Sequence, residues 1–205
     1  MSLDQFGSLV LRDNWKHLNL RQIDLTMGQK WMQKEIQKTF GINGGYTNLD
    51  LRRKTSNGCR PHVQADFMRT PFRDQAFDLI LYDPPFLVDR RSISGRDYRI
   101  RHFSHYRAER KTGPQGYEGQ KFGYWTSSDG LSKSLHRAFT EIKRILSPTG
   151  FCIFKWADSD KTLKFALSRK NGLIVERIWK RKSRGGKHTT TYYVWLKKPV
   201  IRGGE

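Results

Sequence analysis

The stretch Phe77-Asp78-Leu79-Ile80-Leu81-Tyr82-Asp83-Pro84-Pro85-Phe86 constrains this chain more than any other. An apolar run broken only by Asp78 reads as a strand buried on both faces, as in the interior of a parallel sheet. It stops at a carboxylate, a pair of prolines and an aromatic ring. Pro85 forces Pro84 into an extended conformation, Pro84 does the same to Asp83, and neither proline has a backbone N–H. The strand end is therefore rich in acceptors, namely the Asp83 carboxylate and the Pro84 carbonyl. A planar group carrying an NH2 can donate both hydrogens there and stack on Phe86. An exocyclic amine of a nucleobase fits that description, and a rigid turn after a strand is the plainer reading of the same residues.

Other segments can be placed around this corner. Arg21 to Gly28 reads as a short strand running into a glycine turn. Gln29 to Phe40 reads as a helix with Met32, Ile36 and Phe40 on one face, ending at Gly41. Tyr46 to Leu51 and His62 to Asp66 read as further strands, each closing near an acid. Leu131, Leu135, Phe139, Ile142 and Leu146 make the apolar stripe of a second helix, with Asp129 at its start. Ser147-Pro148-Thr149-Gly150 then reads as a turn into a buried strand, Phe151 to Trp156. A helix around Lys161 to Arg169 precedes Leu173 to Trp179 and Thr190 to Leu196, which read as a hairpin around Gly185-Gly186. Strands alternating with helices argue for a parallel sheet covered on both faces, with ligands beyond the carboxyl ends of its strands. Asp24, Asp50, Asp66 and Asp83 all fall at such ends. Singly, each reads as a capping or strand-end acid; together they point to a site.

Asp83-Pro84-Pro85-Phe86 resembles the Asp/Asn/Ser-Pro-Pro-aromatic signature of class I S-adenosylmethionine-dependent methyltransferases that modify adenine N6, cytosine N4 or, less often, guanine N2. The resemblance extends over roughly Arg21 to Lys198. It implies a Rossmann-like α/β fold with a mostly parallel sheet of about seven strands, helices on both faces and an antiparallel last strand. It also implies S-adenosylmethionine as cofactor, with Asp24, Thr26 and Gly28 beside its amino-acid part, Asp50 on the ribose hydroxyls, and Asp66 with Phe67 framing the adenine. Where the family usually has a second glycine, this chain has Lys30, whose bulk would obstruct close backbone approach or whose ammonium would pair with the cofactor carboxylate. By the same resemblance Asp83, Pro84, Pro85 and Phe86 form the catalytic corner, the acid and the Pro84 carbonyl turning the amine toward the donated methyl.

Residues 87–128 read as an insertion with little apolar periodicity. Its first half interleaves bases and rings, among them Tyr98, Arg99, Arg101, Phe103, Tyr106 and Arg107, and its second half, Gly113 to Gly123, is glycine-rich like a lid. Arginines for phosphates beside rings for bases suit an unpaired or flipped nucleotide; for any one ring, packing back onto the sheet is the simpler reading. Trp156 is placed at the same edge as Asp83, as a wall of the base pocket or as core. From Arg177 to Arg202 no acid appears, and Arg181, Lys182, Arg184 and Lys187 read as a phosphate-contacting surface. His102 and His105 lack companions for a metal site, so no metal is expected.

Composition sharpens the choice of partner. With 39 Lys and Arg against 19 Asp and Glu the formal charge is +20, which favours a polyanion, nucleic acid before an anionic membrane surface. At 13% aromatic residues the chain is no disordered basic tail, and 205 residues suit a single domain, 1–205, with its own core. Cys59 and Cys152 form no Cys-x-x-Cys pair, and no leader-like or membrane-spanning run is apparent; reduced thiols and a cytoplasmic location are expected. The expected function is methylation of a nucleobase amine in nucleic acid. Adenine N6 is preferred because the motif opens with aspartate, RNA stands slightly ahead of DNA, and an activating protein partner is left open. The alternatives are a non-catalytic RNA-binding protein on the same fold, a cytosine-N4 or guanine-N2 enzyme, and a methyltransferase of small molecules or proteins.

Overall fold

The computed structural model describes residues 20–26, 31–42, 44–51, 60–84, 128–158, 160–182 and 190–199. Its strands are β1 (Gln22–Asp24), β2 (Tyr46–Asp50), β3 (Val63–Gln64), β4 (Phe77–Tyr82), β5 (Leu146–Asp158), β6 (Ile174–Lys182) and β7 (Thr190–Lys197). They form one seven-stranded sheet in the order β3-β2-β1-β4-β5-β7-β6. From β3 across to β5 every pairing is parallel, and β7 runs antiparallel to both β5 and β6. The expected Rossmann-like architecture is therefore present. Strand order reverses between β1 and β4, so the crevice used by such sheets opens where Asp24 and Asp83 emerge.

Helices cover both faces, and the alternation of β4 and β5 says how. Leu79, Leu81 and Ile153 pack with Met32 and Ile36 of α1 (Trp31–Phe40). Ile80, Tyr82, Cys152 and Phe154 point the other way, into the core formed with α2 (Ser128–Ile145) and α3 (Asp160–Leu167). A strand with apolar neighbours above and below needs no polar alternation, which accounts for the run at Phe77 to Tyr82. Each such Leu or Ile contributes about 1.5–3 kcal/mol through burial. The one interruption, Asp78, receives hydrogen bonds from Arg21 Nε (3.0 Å), Nη2 (2.9 Å) and the Arg21 backbone (3.1 Å). That contact holds the Asp78 carboxyl down at about 2.

Two expectations change in detail. Ser147 to Gly150 belongs to β5 instead of forming a separate turn: Leu146 pairs with Phe77, the register shifts, and Phe151 then pairs with Leu79. Gly150 permits this, because a Cβ there would lie 2.8 Å from the Asp78 carbonyl oxygen. The third strand is only Val63–Gln64, since the Asp66 carboxylate takes the Met68 N–H (2.8 Å) and turns the chain.

At the amino-end edge of the sheet, the last turn of α2 anchors the segment before β4. Glu141 accepts from the Thr70 backbone (2.8 Å) and hydroxyl (2.6 Å), and Arg144 bridges Glu141 to Asp74 (2.7 Å). Burial would raise the Glu141 carboxyl, but the hydrogen bonds from Arg144 and Thr70 prevail and hold it below its ordinary value. Among the described residues no helix is long and apolar enough to cross a membrane.

Candidate functional site

The site is built where β1, β4 and β5 end together. Leu25 N–H donates to the Leu81 carbonyl (3.0 Å), extending the β1–β4 contact past the last formal pair, and the Asp83 N–H donates to Thr26 Oγ1 (2.9 Å). Thr26 thus fixes the backbone of Asp83 from the neighbouring strand. Beneath it Asp24 is buried, with Oδ1 accepting from Thr26 N–H (3.1 Å) and Oδ2 from Gln33 of α1 (2.9 Å). Gln33 also reaches Asn48 Oδ1 (2.5 Å), tying β2 to the same knot. Burial pushes the Asp24 carboxyl up to about 6, against the hydrogen bonds from Gln33 and Thr26, and the nearby Asp83 charge adds to the rise.

Across the β4–β5 pairing stands Lys155, whose Nζ lies 2.7 Å from Asp83 Oδ2. Beyond it the charges continue to alternate, because Glu35 of α1 pairs with Arg181 of β6. Cations and carboxylates from β1, α1, β4, β5 and β6 therefore form one connected group at the carboxyl-end edge.

The expected residues divide as follows. Asp24, Thr26 and Asp83 are brought together. Asp50 ends β2 on the same edge and is buried there. Each Asp24 oxygen accepts from one of the chain's own donors, which shapes the turn after β1. Asp66 turns the chain after β3, and Phe67 packs on Tyr82 with ring centroids 5.6 Å apart. Of the two readings left open for Trp156, the structure has core packing and not the pocket wall. Trp156 is 0% exposed, lies among the core residues, and donates its Nε1–H to Thr162 Oγ1 (3.1 Å), so it offers no face to a ligand. Arg181 is half-exposed and engaged with Glu35. Pro84 is buried immediately after Asp83. Gly28, Lys30, Pro85, Phe86, Tyr98, Arg99, Arg101, Phe103, Tyr106, Arg107, Arg184 and Lys187, with the side chain of Lys182, lie outside the described residues.

Sequence reasoning put Lys155 on the Asp83 edge without a role and passed over Gln33, Asn48 and Glu35. Lys155 carried a signal, a lone cation at the end of an apolar strand, but only the register of β5 against β4 sets it opposite Asp83. Gln33 and Glu35 are ordinary polar positions of an amphipathic helix until α1 is docked. Among the described residues no group of His, Cys, Asp and Glu is arranged to hold a metal.

The sequence matches no protein-family model and no curated protein. Solved structures resemble the chain at low identity. One is the 1,6-didemethyltoxoflavin-N1-methyltransferase of Burkholderia thailandensis, crystallised with S-adenosylhomocysteine (10% identity, TM-score 0.49, covering 94% of this chain and 76% of that one). Another is the N-methyltransferase NodS of Bradyrhizobium japonicum WM9 (8%, TM-score 0.47, 94% and 93%). A third is the PH0226 protein of Pyrococcus horikoshii OT3 (12%, TM-score 0.48, 93% and 87%). Likeness at these identities and scores assigns neither a substrate nor a ligand.

Proposed function

We propose that this chain is an S-adenosylmethionine-dependent methyltransferase acting on an exocyclic amine of a nucleobase in nucleic acid, with adenine N6 as the target and RNA ahead of DNA. The observation that carries the reading is Asp83. It is a part-exposed carboxylate at the switch point of a Rossmann-like sheet, its backbone held by Thr26 and one oxygen by Lys155, and Pro84-Pro85-Phe86 follow it directly.

The donor set suits the cofactor. Asp50, an acid ending β2 on the same edge, would accept from the ribose hydroxyls. The turn shaped by Asp24 and Thr26 would face the amino-acid part, and Lys30, Asp66 and Phe67 stand in the sequence where its carboxylate and adenine are expected. When bound, S-adenosylmethionine supplies a methyl group on a sulfonium sulfur that leaves as a neutral thioether. The chain's own part is positioning. Asp83 and the Pro84 carbonyl accept the two N–H groups of the amine and aim its lone pair, while Phe86 stacks on the base. Once the nitrogen bears positive charge its proton leaves readily, so no strong base is required. The +20 charge supports a polyanionic substrate, held through Arg181, Lys182, Arg184, Lys187 and the basic-aromatic residues of 87–128.

The test is transfer from methyl-labelled cofactor to total RNA and, separately, to unmethylated DNA, followed by digestion to nucleosides. Labelled N6-methyladenosine that disappears with Asp83→Ala is the expected result. Salt-sensitive RNA binding without label in either polymer would replace the reading with that of a binding protein.

A further inference from the structure

Lys155 stands opposite Asp83 and is paired with it. Its side chain is 16% exposed and that of its partner Asp83 27%, so the pair is largely withdrawn from water at the mouth of the proposed site. Burial would lower the Lys155 ammonium, but the charge and hydrogen bond of Asp83, helped by Glu35 and Asp24, raise it above its ordinary value. The groups around it come from every neighbouring element: Asp83 after β4, Asp24 of β1, Glu35 of α1 with Arg181 of β6 beyond it, and Tyr193 of β7 across the strand pairing. Asp24 is held by Gln33 and Thr26, and Glu35 by Arg181. Lys155 instead makes its 2.7 Å hydrogen bond to one particular oxygen, Asp83 Oδ2.

We propose that Lys155 is a positioning residue, clamping Asp83 Oδ2 so that Oδ1 alone is presented to the substrate, and that this geometry selects a methyl acceptor bearing a hydrogen beside its reacting lone pair. A carboxylate with one oxygen committed to an ammonium is an acceptor with a single direction. With Thr26 holding the Asp83 backbone and Lys155 holding one oxygen, rotation about the side chain is removed before the substrate arrives. A ring nitrogen with no hydrogen beside the reacting lone pair would leave Oδ1 a bare acceptor. The inference rests on the reading of Asp83 given above.

The experiment is a double-mutant cycle on the full chain, using Lys155→Met, Asp83→Asn and the combination. Methyl transfer to RNA or DNA is the readout, and cofactor affinity is measured by calorimetry. Lys155→Met should lower kcat about 10–100-fold, the range expected for a misplaced positioning group, with KM and cofactor affinity little changed. Lys155→Arg should restore most of the loss, and Lys155→Met should have almost no further effect in the Asp83→Asn background. Equal losses in both backgrounds would mean a structural cation and overturn the inference, as would full activity of Lys155→Met. Nitrogen NMR of the Lys155 ammonium needs no substrate and no Lys155 variant. Its titration should move to lower pH in Asp83→Asn, and an unmoved titration would remove the clamp. An inactive wild type would instead remove the methyltransferase reading itself.

Discussion

At the amino-end edge of the sheet Glu141 lies under two donors from Thr70 and a fork from Arg144, and its carboxyl is held below the ordinary range. At the carboxyl-end edge Asp24 is more deeply buried, is served by neutral donors only, and titrates at about 6. Both are buried acids tying helix to sheet. The first is paired with a cation and closed by it, whereas the second shares its nearest ammonium, Lys155, with Asp83. A buried acid answered by its own cation reads as structural, whereas one raised by burial beside a second carboxylate at a strand end marks a candidate site.

Substitutions should separate the two edges. The largest effect belongs to Asp83→Ala, which should lower methyl transfer per folded molecule by about 10²–10³-fold while leaving cofactor affinity near that of the wild type. Comparable loss of cofactor affinity would blur the contrast. Next, Glu141→Ala strands the Thr70 and Arg144 donors and should cost about 1–3 kcal/mol in urea unfolding, with turnover per folded molecule unchanged.

The edges should also titrate with opposite sign. Asp24 has a folded-state value of about 6 against 3.8 for the ordinary carboxyl, so folding favours its protonated form. Its contribution is complete below the ordinary value and is lost as pH rises through the folded one. Urea unfolding from pH 4 to 7.5 should show the wild type losing on the order of 2–3 kcal/mol relative to Asp24→Asn over that interval. Asp78, held at about 2, works the other way: its contribution is present above 3.8 and falls away toward the folded value. The smallest effect is Arg21→Ala, which should return the Asp78 titration toward 3.8 by carboxyl NMR and lower the neutral-pH unfolding midpoint modestly, because the exposed ion pair is screened by solvent.

Much of the fold was legible because burial on both faces leaves an uninterrupted apolar run, and the runs at Phe77 and Phe151 are of that kind. The helix stripes at Met32 and Ile36, and from Leu131 to Ile142, were read from the same physics at a different period, whereas Leu146, expected on the second stripe, opens β5. What misled was local chemistry. Ser147-Pro148-Thr149-Gly150 has turn composition, yet the segment is carried within β5 because Gly150 admits the Asp78 carbonyl. Trp156 follows the lysine opposite Asp83, and strand alternation sends its ring into the α2 and α3 side instead of the site.

Along the chain alone, the acids at strand ends, the Asp-Pro-Pro-Phe corner and the basic charge were determined, since each follows from residue type and its immediate neighbours. Which polar groups meet was decided only by the folded sheet. Lys155 reaches Asp83 from 72 residues away, Gln33 joins Asp24 to Asn48, and Arg181 reaches Glu35. Strand register and helix docking set those distances, and both come from packing two apolar faces at once, which no local pattern encodes.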